Sequence, residues 1–359
     1  HTRLARLSRG LGDVYKRQVR KVTYSSQVDI ASTYTIPSNN GNEIYQFDGL
    51  GRHLRTLDAL TNAQLYAFTY DADGMLTHII DESGNITEIE RDAGANATPI
   101  VGPFDHTTGL STDSNGFLDA NTNPAGETWQ FINTDGGLIT SSTDPNGNTS
   151  NYTFDSFGRL TMVADAAGGS QTLTGTELTN GYEVTRTTEM GQTTTYRLEG
   201  LPSGDKKLVN TSGCCAESDI VIAPDGTRTR TAPDGTITKM VAEPDPRFGT
   251  EVPRPQSVVI TTPGGLERSI QFTRAVTLDI PDDVLSLNQQ SEEIILNGRT
   301  YTRTYDAATN QQVVTTPEGR QAIKVTNDQG QITEIQIVGQ ASATVSYTHL
   351  RAHETRAFI

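Results

Sequence analysis

One spacing constrains this chain more than any other feature of it. Asp71, Asp92, Asp113, Thr134 and Asp155 stand 21 residues apart, and far downstream Asp306 and Asn327 are again separated by 21. Asp48 lies two residues ahead of that frame. A fixed period of this size marks a repeat architecture, in which each unit is one supersecondary element that needs its neighbours.

The unit can be read from its residues. Aromatics alternate before the Asp, at Tyr45 and Phe47, Phe68 and Tyr70, and Tyr152 and Phe154, with Trp129 and Phe131 slightly out of register. Alternation places them on one face of a strand, because successive side chains point to opposite sides. The D-x-x-G that follows, Asp48 to Gly51, Asp71 to Gly74 and Asp155 to Gly158, is turn chemistry: Asp bonds its own backbone two residues on, and Gly accepts positive φ. Returning strands LTHII and LTMVA come next. A second turn sits ten residues after the first, at Asp81 to Gly84 and Asp165 to Gly168. Two strands of roughly six residues and two short turns fill the period, so the unit is a β-hairpin. A lone hairpin is marginal in water, and stacked hairpins are expected to bury one another's aromatic faces.

Beyond about residue 200 the spelling changes. P-x-G recurs at Pro202, Pro224, Pro233, Pro263 and Pro317, between Thr- and Val-rich flanks that read as strands. The stretch 242–257 carries Pro244, Pro246, Pro253 and Pro255 and is expected to break the sheet. The run 279–293 is expected to hold a helical turn. The 33 Gly and 15 Pro and the 6% aromatic content suit a β-rich, turn-dense chain. The expected fold is therefore all-β, an array of antiparallel hairpins in a curved, open sheet, with regular hairpins over 19–195 and a less regular region over 196–344.

Both ends break the pattern. A back-translation of residues 8–18, read on the opposite strand in another frame, encodes 345–354, so 1–18 and 345–359 read as a translated sequencing adapter. The body is then expected to be an internal fragment of a longer protein. Such a truncated array would expose raw strand edges and tend to aggregate.

The motif YxYDxxGRLxxVxDxxG resembles the YD repeat at 44–58, 68–85 and 152–169, with decayed copies between, and Tyr305-Asp306 follows a similar strand. That family includes bacterial Rhs proteins, the C subunits of insecticidal toxin complexes and teneurins. The resemblance implies a spiral of hairpins forming a hollow shell. It further implies a structural, non-catalytic role, as the wall around a C-terminal toxin-like cargo, on a secreted or bacterial cell-surface protein. The partners would be further repeats and cargo of the same chain, or a cell-surface protein or glycan. An adhesive or carbohydrate-binding scaffold is the alternative, and a polysaccharide-active β-solenoid enzyme ranks last. The family's DPxG-rich protease core is not matched by DPNG (144–147) or DPRFG (245–249), and no catalytic residue carries over.

Other chemistry finds little support. A net charge of −15 repels nucleic acid and anionic lipid, and no apolar run is long enough for a membrane helix. In the Asp-rich turns Gly falls fourth, where a hairpin needs it, rather than sixth as in a helix–loop–helix calcium site. His53, His78 and His106 form no zinc pattern, so neither metal nor cofactor is expected. The pairs Asp282-Asp283 and Glu292-Glu293 read as solvated surface. Cys214 and Cys215 are adjacent, either as two reduced thiols or as a strained, labile redox pair.

Overall fold

A five-residue reversal repeats along the chain and determines its secondary structure. In the turn at Asp155, the Asp155 amide donates to the Arg159 carbonyl at 2.9 Å, and the Gly158 amide donates back to the Asp155 carbonyl at 3.0 Å. Gly158 sits at φ +77°, the left-handed region that a residue with a Cβ enters only at a cost. This is the type I turn with a left-handed fourth residue expected from D-x-x-G. The same pair of backbone bonds closes the turns opening at Asp48, Asp71, Asp81, Asp113, Asn123, Thr134, Asp144, Asp165 and Asn327. It also closes those opening at Leu201, Ala223, Ala232, Thr262 and Thr316, whose second residue is the proline of the P-x-G motif. One backbone geometry thus has two spellings: an Asp that caps, or a Pro that presets φ.

The computed structural model describes residues 33–213 and 216–345. Cys214, Cys215 and the adapter-like segments, apart from Val345, lie outside the described residues. Among those described are 28 strands, from Tyr34–Pro37 to Ala343–Thr344, and one 3-10 turn at Pro103–Asp105. The registered pairings are antiparallel and join consecutive strands, as in Thr149–Phe154 with Leu160–Ala164. The fold is all-β, as the hairpin reading requires. The run 279–293 holds two successive turns rather than a helical one, with Asp282 at φ +68°, and then enters the strand Leu287–Leu296.

The described residues form two compact units. One comprises 67–242 with 259–267, and the other 33–66 with 243–258 and 268–345. They are held together differently. Of the buried residues described, only Ser141 belongs to the first unit, so its cohesion is lateral, through strand ladders and half-buried faces. The second unit has an apolar centre of Ile44, Leu57, Ala59, Phe248 and Val252, with Val284 and Leu285 against it. Phe248 and Val252 come from the proline-dense stretch expected to break the sheet. Instead that stretch is mostly strand, Ile237–Asp245 and Gly249–Thr261, on either side of a tight turn.

One turn departs from the rule. At Asp92 the left-handed position falls on Ala95, at φ +65°, with Gly94 one residue early. Ala95→Gly is expected to stabilise the chain by about 0.5–1 kcal/mol in urea denaturation, and Gly158→Ala to destabilise it by about 1 kcal/mol. Equal effects of the same sign from both changes would contradict this account.

Candidate functional site

The repeated turns are stapled by side chains as well as backbone. Asp155 Oδ1 accepts the amides of Phe157 and Arg159, both at 2.9 Å, and Oδ2 accepts Arg159 Nε at 2.8 Å. Asp48 repeats the arrangement with Leu50 and Arg52, Asp71 with Asp73 and Met75, Asp81 with Ser83 and Asn85, and Asp165 with Ala167 and Gly169. Gly51, Gly74, Gly84 and Gly168 all lie at φ between +80° and +89°. The backbone bond from Arg159 leads the set that holds the Asp155 carboxyl below its ordinary range. Asp306 caps differently: it accepts from Ala308 and Thr309, and Asn310 takes the left-handed position at φ +51°. With both oxygens occupied by turn amides and side chains, the Asp155 and Asp48 carboxylates have little left for a metal. No group of three or more His, Cys, Asp or Glu able to hold one occurs among the described residues.

A second device was not anticipated from sequence. Just past several turns the return strand carries one extra residue, as the register shifts at Asn133, Phe154 and Thr326 record. That residue is Thr140, Thr161 or Thr333, and its hydroxyl donates to the carbonyl of Ile132, Thr153 or Val325 across the ladder, at 3.1, 3.1 and 3.3 Å. Thr77 does the same to Thr69 at 3.1 Å. The hydroxyl compensates the ladder bond that a β-bulge interrupts. A local signal exists: in each case Leu or Ile precedes the Thr, five residues after the turn opens.

The aromatic rows are less enclosed than expected. Tyr45, Phe47, Phe68, Tyr70, Tyr152 and Phe154 are all half-buried, while Ile44 and Gln46, on the other face of the strand Glu43–Phe47, are buried. Hairpins paired edge to edge touch laterally and leave a face partly open, which accounts for the difference. Locally the aromatics still pack. Phe47 stacks on His53 at 4.9 Å and Tyr45 meets its edge at 5.6 Å, and burial pushes the imidazole below its ordinary value.

The densest chemistry lies in the second unit. Arg247 is buried, and burial brings its guanidinium down to about 10. It stays charged at neutral pH and spends its donors on two distant segments: Nε on the Val284 carbonyl at 2.7 Å, and, in the turn 58–63, Nη1 on the Ala59 carbonyl and Nη2 on Asn62 Oδ1 at 3.5 Å. Beside it, buried Asp245 accepts the Arg247 amide at 2.8 Å and Arg274 Nη1 at 2.6 Å. Glu292 sits between Arg274 and Arg303. Burial raises its pKa, but the two guanidinium groups outweigh burial and hold it below the ordinary glutamate range. The solvated-surface reading of Glu292 is therefore corrected: it is buried and paired. Asp283 does cap a turn, accepting the Leu285 amide at 2.9 Å. A cavity of about 360 Å³ opens beside the network, lined by Arg254, Arg274, Arg303, Glu292 and Phe272. Positive and negative groups alternate there in paired contacts, which is the pattern of a structural clamp rather than of an acid and base poised for reaction.

Serial capped turns, bulged return strands and a near-absence of buried groups in the first unit describe a wall. The sequence profile of the Teneurin YD-shell matches residues 31–352. The chain belongs to the Teneurin YD-shell family. Among curated relatives, Teneurin-1 of Mus musculus is 36% identical over 108 residues, covering 30% of this chain and 4% of that protein. Teneurin-4 of Mus musculus is 32% identical over 112 residues, 31% of this chain and 4% of that protein. The matched region is thus a small part of each relative. Among solved structures, TcdB2-TccC3 without its hypervariable C-terminal region covers 82% of this chain and 24% of its own, at 10% identity and a TM-score of 0.36. The Tc holotoxin pore of Photorhabdus luminescens gives 82% and 23%, 10% and 0.35. No helix among the described residues is long and apolar enough to cross a membrane.

Two outcomes follow for the second unit. Arg247→Ala strips two distant segments of their common donor and is expected to cost about 3 kcal/mol in urea denaturation, with Arg247→Lys intermediate because it keeps charge without the fork. Because the folded pKa of Glu292 is depressed, its stabilisation is present above about pH 4.5 and is lost as pH falls through the folded value. Glu292→Gln should therefore cost about 2 kcal/mol at pH 7 and progressively less below pH 4; a pH-independent difference would show that the ion pairs contribute nothing.

Proposed function

We propose that this chain is a non-catalytic segment of a bacterial YD-repeat protein, whose hairpins form part of the wall of a β-shell enclosing a C-terminal, toxin-like cargo of the same polypeptide. The observation that carries the reading is the succession of one turn geometry from Asp48 to Asn327, which builds surface and leaves the first unit almost without an interior. Membership in a family described as a shell supports it. The regular hairpins of 19–195 and the proline-spelled ones of 196–344 would be two stretches of that wall, working on a secreted or cell-surface protein. Tyr45, Asp48, Gly51 and their counterparts through Asp306 are structural repeat positions in this reading. Its partners are further hairpins and the enclosed polypeptide. No catalytic, metal or cofactor role is assigned to any residue of this wall.

The test begins with the contiguous coding sequence, expected to supply more hairpins followed by a short unrelated domain. Expressed from that full frame, the C-terminal domain should resist protease until the wall is unfolded, then be cut rapidly. Digestion of that domain at one rate before and after unfolding overturns enclosure, and a surface anchor in place of the domain would favour an adhesive scaffold instead.

A further inference from the structure

The two faces of one sheet in the first unit carry different chemistry. From the strand Ser170–Leu178 to Ile237–Asp245 the ladders run without a register shift through seven strands, so residues paired across them share a face. One row runs Tyr182, Leu198, Leu208, Ile220, Arg230 and Thr238. The next runs Gly200, Lys206, Ile222, Arg228 and Met240. With Val184-Tyr196 and Arg186-Thr194 these rows make up a single face. From Gly181 to Met240 that face bears Arg186, Lys206, Arg228 and Arg230, and its strand positions hold no carboxylate.

The acids of the same strands lie behind. Glu183, Glu199, Glu217 and Asp219 occupy the opposite face, together with Arg197, Lys207 and Lys239. There charge is internally matched: Arg197 donates to Glu199 at 2.6 Å, and Glu199 leads Glu183 and Glu217 in holding its guanidinium above its ordinary value. The segregation stands out in a chain with a net charge of −15.

This face, whose one strand carboxylate is Glu177 at the near rim, beside Arg159 at 3.6 Å, is also apolar and open. Tyr182 is 50% exposed and Tyr196 42%, and Arg228 and Arg230 are exposed. Arg186 spends Nη2 on Thr194 Oγ1 at 3.3 Å, while its Nε is buried without a hydrogen-bond partner. At the near rim a groove of about 630 Å³ is lined by Leu173, Gly175, Glu177, Tyr182 and Val184 of this face, and by Arg159. Cations spaced among aromatic and aliphatic side chains form a surface complementary to one kind of ligand: a chain that alternates carboxylates with apolar groups.

We propose that this face docks an acidic, partly apolar polypeptide segment in an extended conformation, its carboxylates meeting Arg228, Arg230 and Arg186 and its apolar side chains lying on Tyr182, Tyr196, Leu198 and Ile220. The proposal rests on the reading of the chain as a wall and names what one side of that wall touches. A polypeptide is favoured over a sulfated glycan or a nucleic acid because the surface between the cations is apolar, whereas a polyanion without apolar groups would leave Leu198, Leu208, Ile220 and Ile222 uncovered.

The test uses the whole chain and a fluorescent peptide of alternating Glu and Val, with a Lys-Val peptide, a heparin oligosaccharide and single-stranded DNA as comparators. The Glu-Val peptide should bind best, and its affinity should weaken as salt rises. Arg228→Glu combined with Arg230→Glu should reduce that binding at least tenfold. Lys207→Glu combined with Lys239→Glu, the same change of charge on the opposite face, should leave it within twofold. Both pairs are exposed or half-buried strand positions, and circular dichroism would check that the sheet persists. Should the reversal disturb folding, Arg230→Gln and Arg228→Gln are expected to give a smaller loss of the same kind. Equal losses from the two faces, tighter binding of heparin or DNA, or no peptide binding would each overturn the assignment. None of these outcomes bears on protease protection of a C-terminal domain, so the wall reading and this one can fail separately.

Discussion

Most of the described reversals of this chain are completed in five residues, and that demand organises the rest. A strand pair can begin only where the amides on the inside of the bend find acceptors, since buried or crowded donors left unpaired cost more than the net gain of an ordinary hydrogen bond. Where an Asp opens the bend in the first unit, as at Asp71 or Asp155, its carboxylate takes two of those amides, and a left-handed Gly lets the chain leave in register. Once that is set, strand length is dictated by the spacing between bends and hardly at all by burial. The 3-10 turn at Pro103–Asp105 illustrates the point: its letters depart from the motif and Phe104 sits at φ +65°, yet the flanking strands keep their place in the succession.

This explains what could be read in advance. Asp71, Gly74, Asp155 and Gly158 announce their geometry because a turn is made by residues adjacent in sequence, and the P-x-G stretches do so for the same reason. Thr161 and Thr140 are local too, but the Leu-Thr or Ile-Thr pair that marks their bulge carries meaning only once the turn opening five residues earlier has been placed. The centre of the second unit was harder still. Phe248 and Val252 sit among prolines that read as a break, and what they contact lies about two hundred residues upstream. Glu292 looked like one more surface acid until Arg274 and Arg303 closed on it from neighbouring strands. Burial that depends on distant partners leaves no short-range trace.

The two units therefore represent different solutions to the same problem of stability. In the first, cohesion is distributed: many ladder bonds and small staples, none dominant, so that a single substitution is felt mainly within its own hairpin. In the second, cohesion is concentrated. Arg247, Asp245, Arg274 and Glu292 form one connected set in which removal of a member strands the others, and coupled losses larger than the sum of pairwise contacts are the normal behaviour of such sets.

Concentration also has a consequence in time. Asn62 donates to the Leu285 carbonyl across a separation of 223 residues, and Arg247 reaches Ala59 across 188. A ribosome delivers residues from the N-terminus onward, so hairpins between Ala67 and Ala242 can close as they emerge, each needing only its immediate predecessor. The nascent segment around Ile44 and Leu57 must meanwhile keep its apolar side chains waiting until position 285 has been made. Premature termination anywhere before that point would yield a ladder that is locally complete beside an opening strand set that has never met its partners.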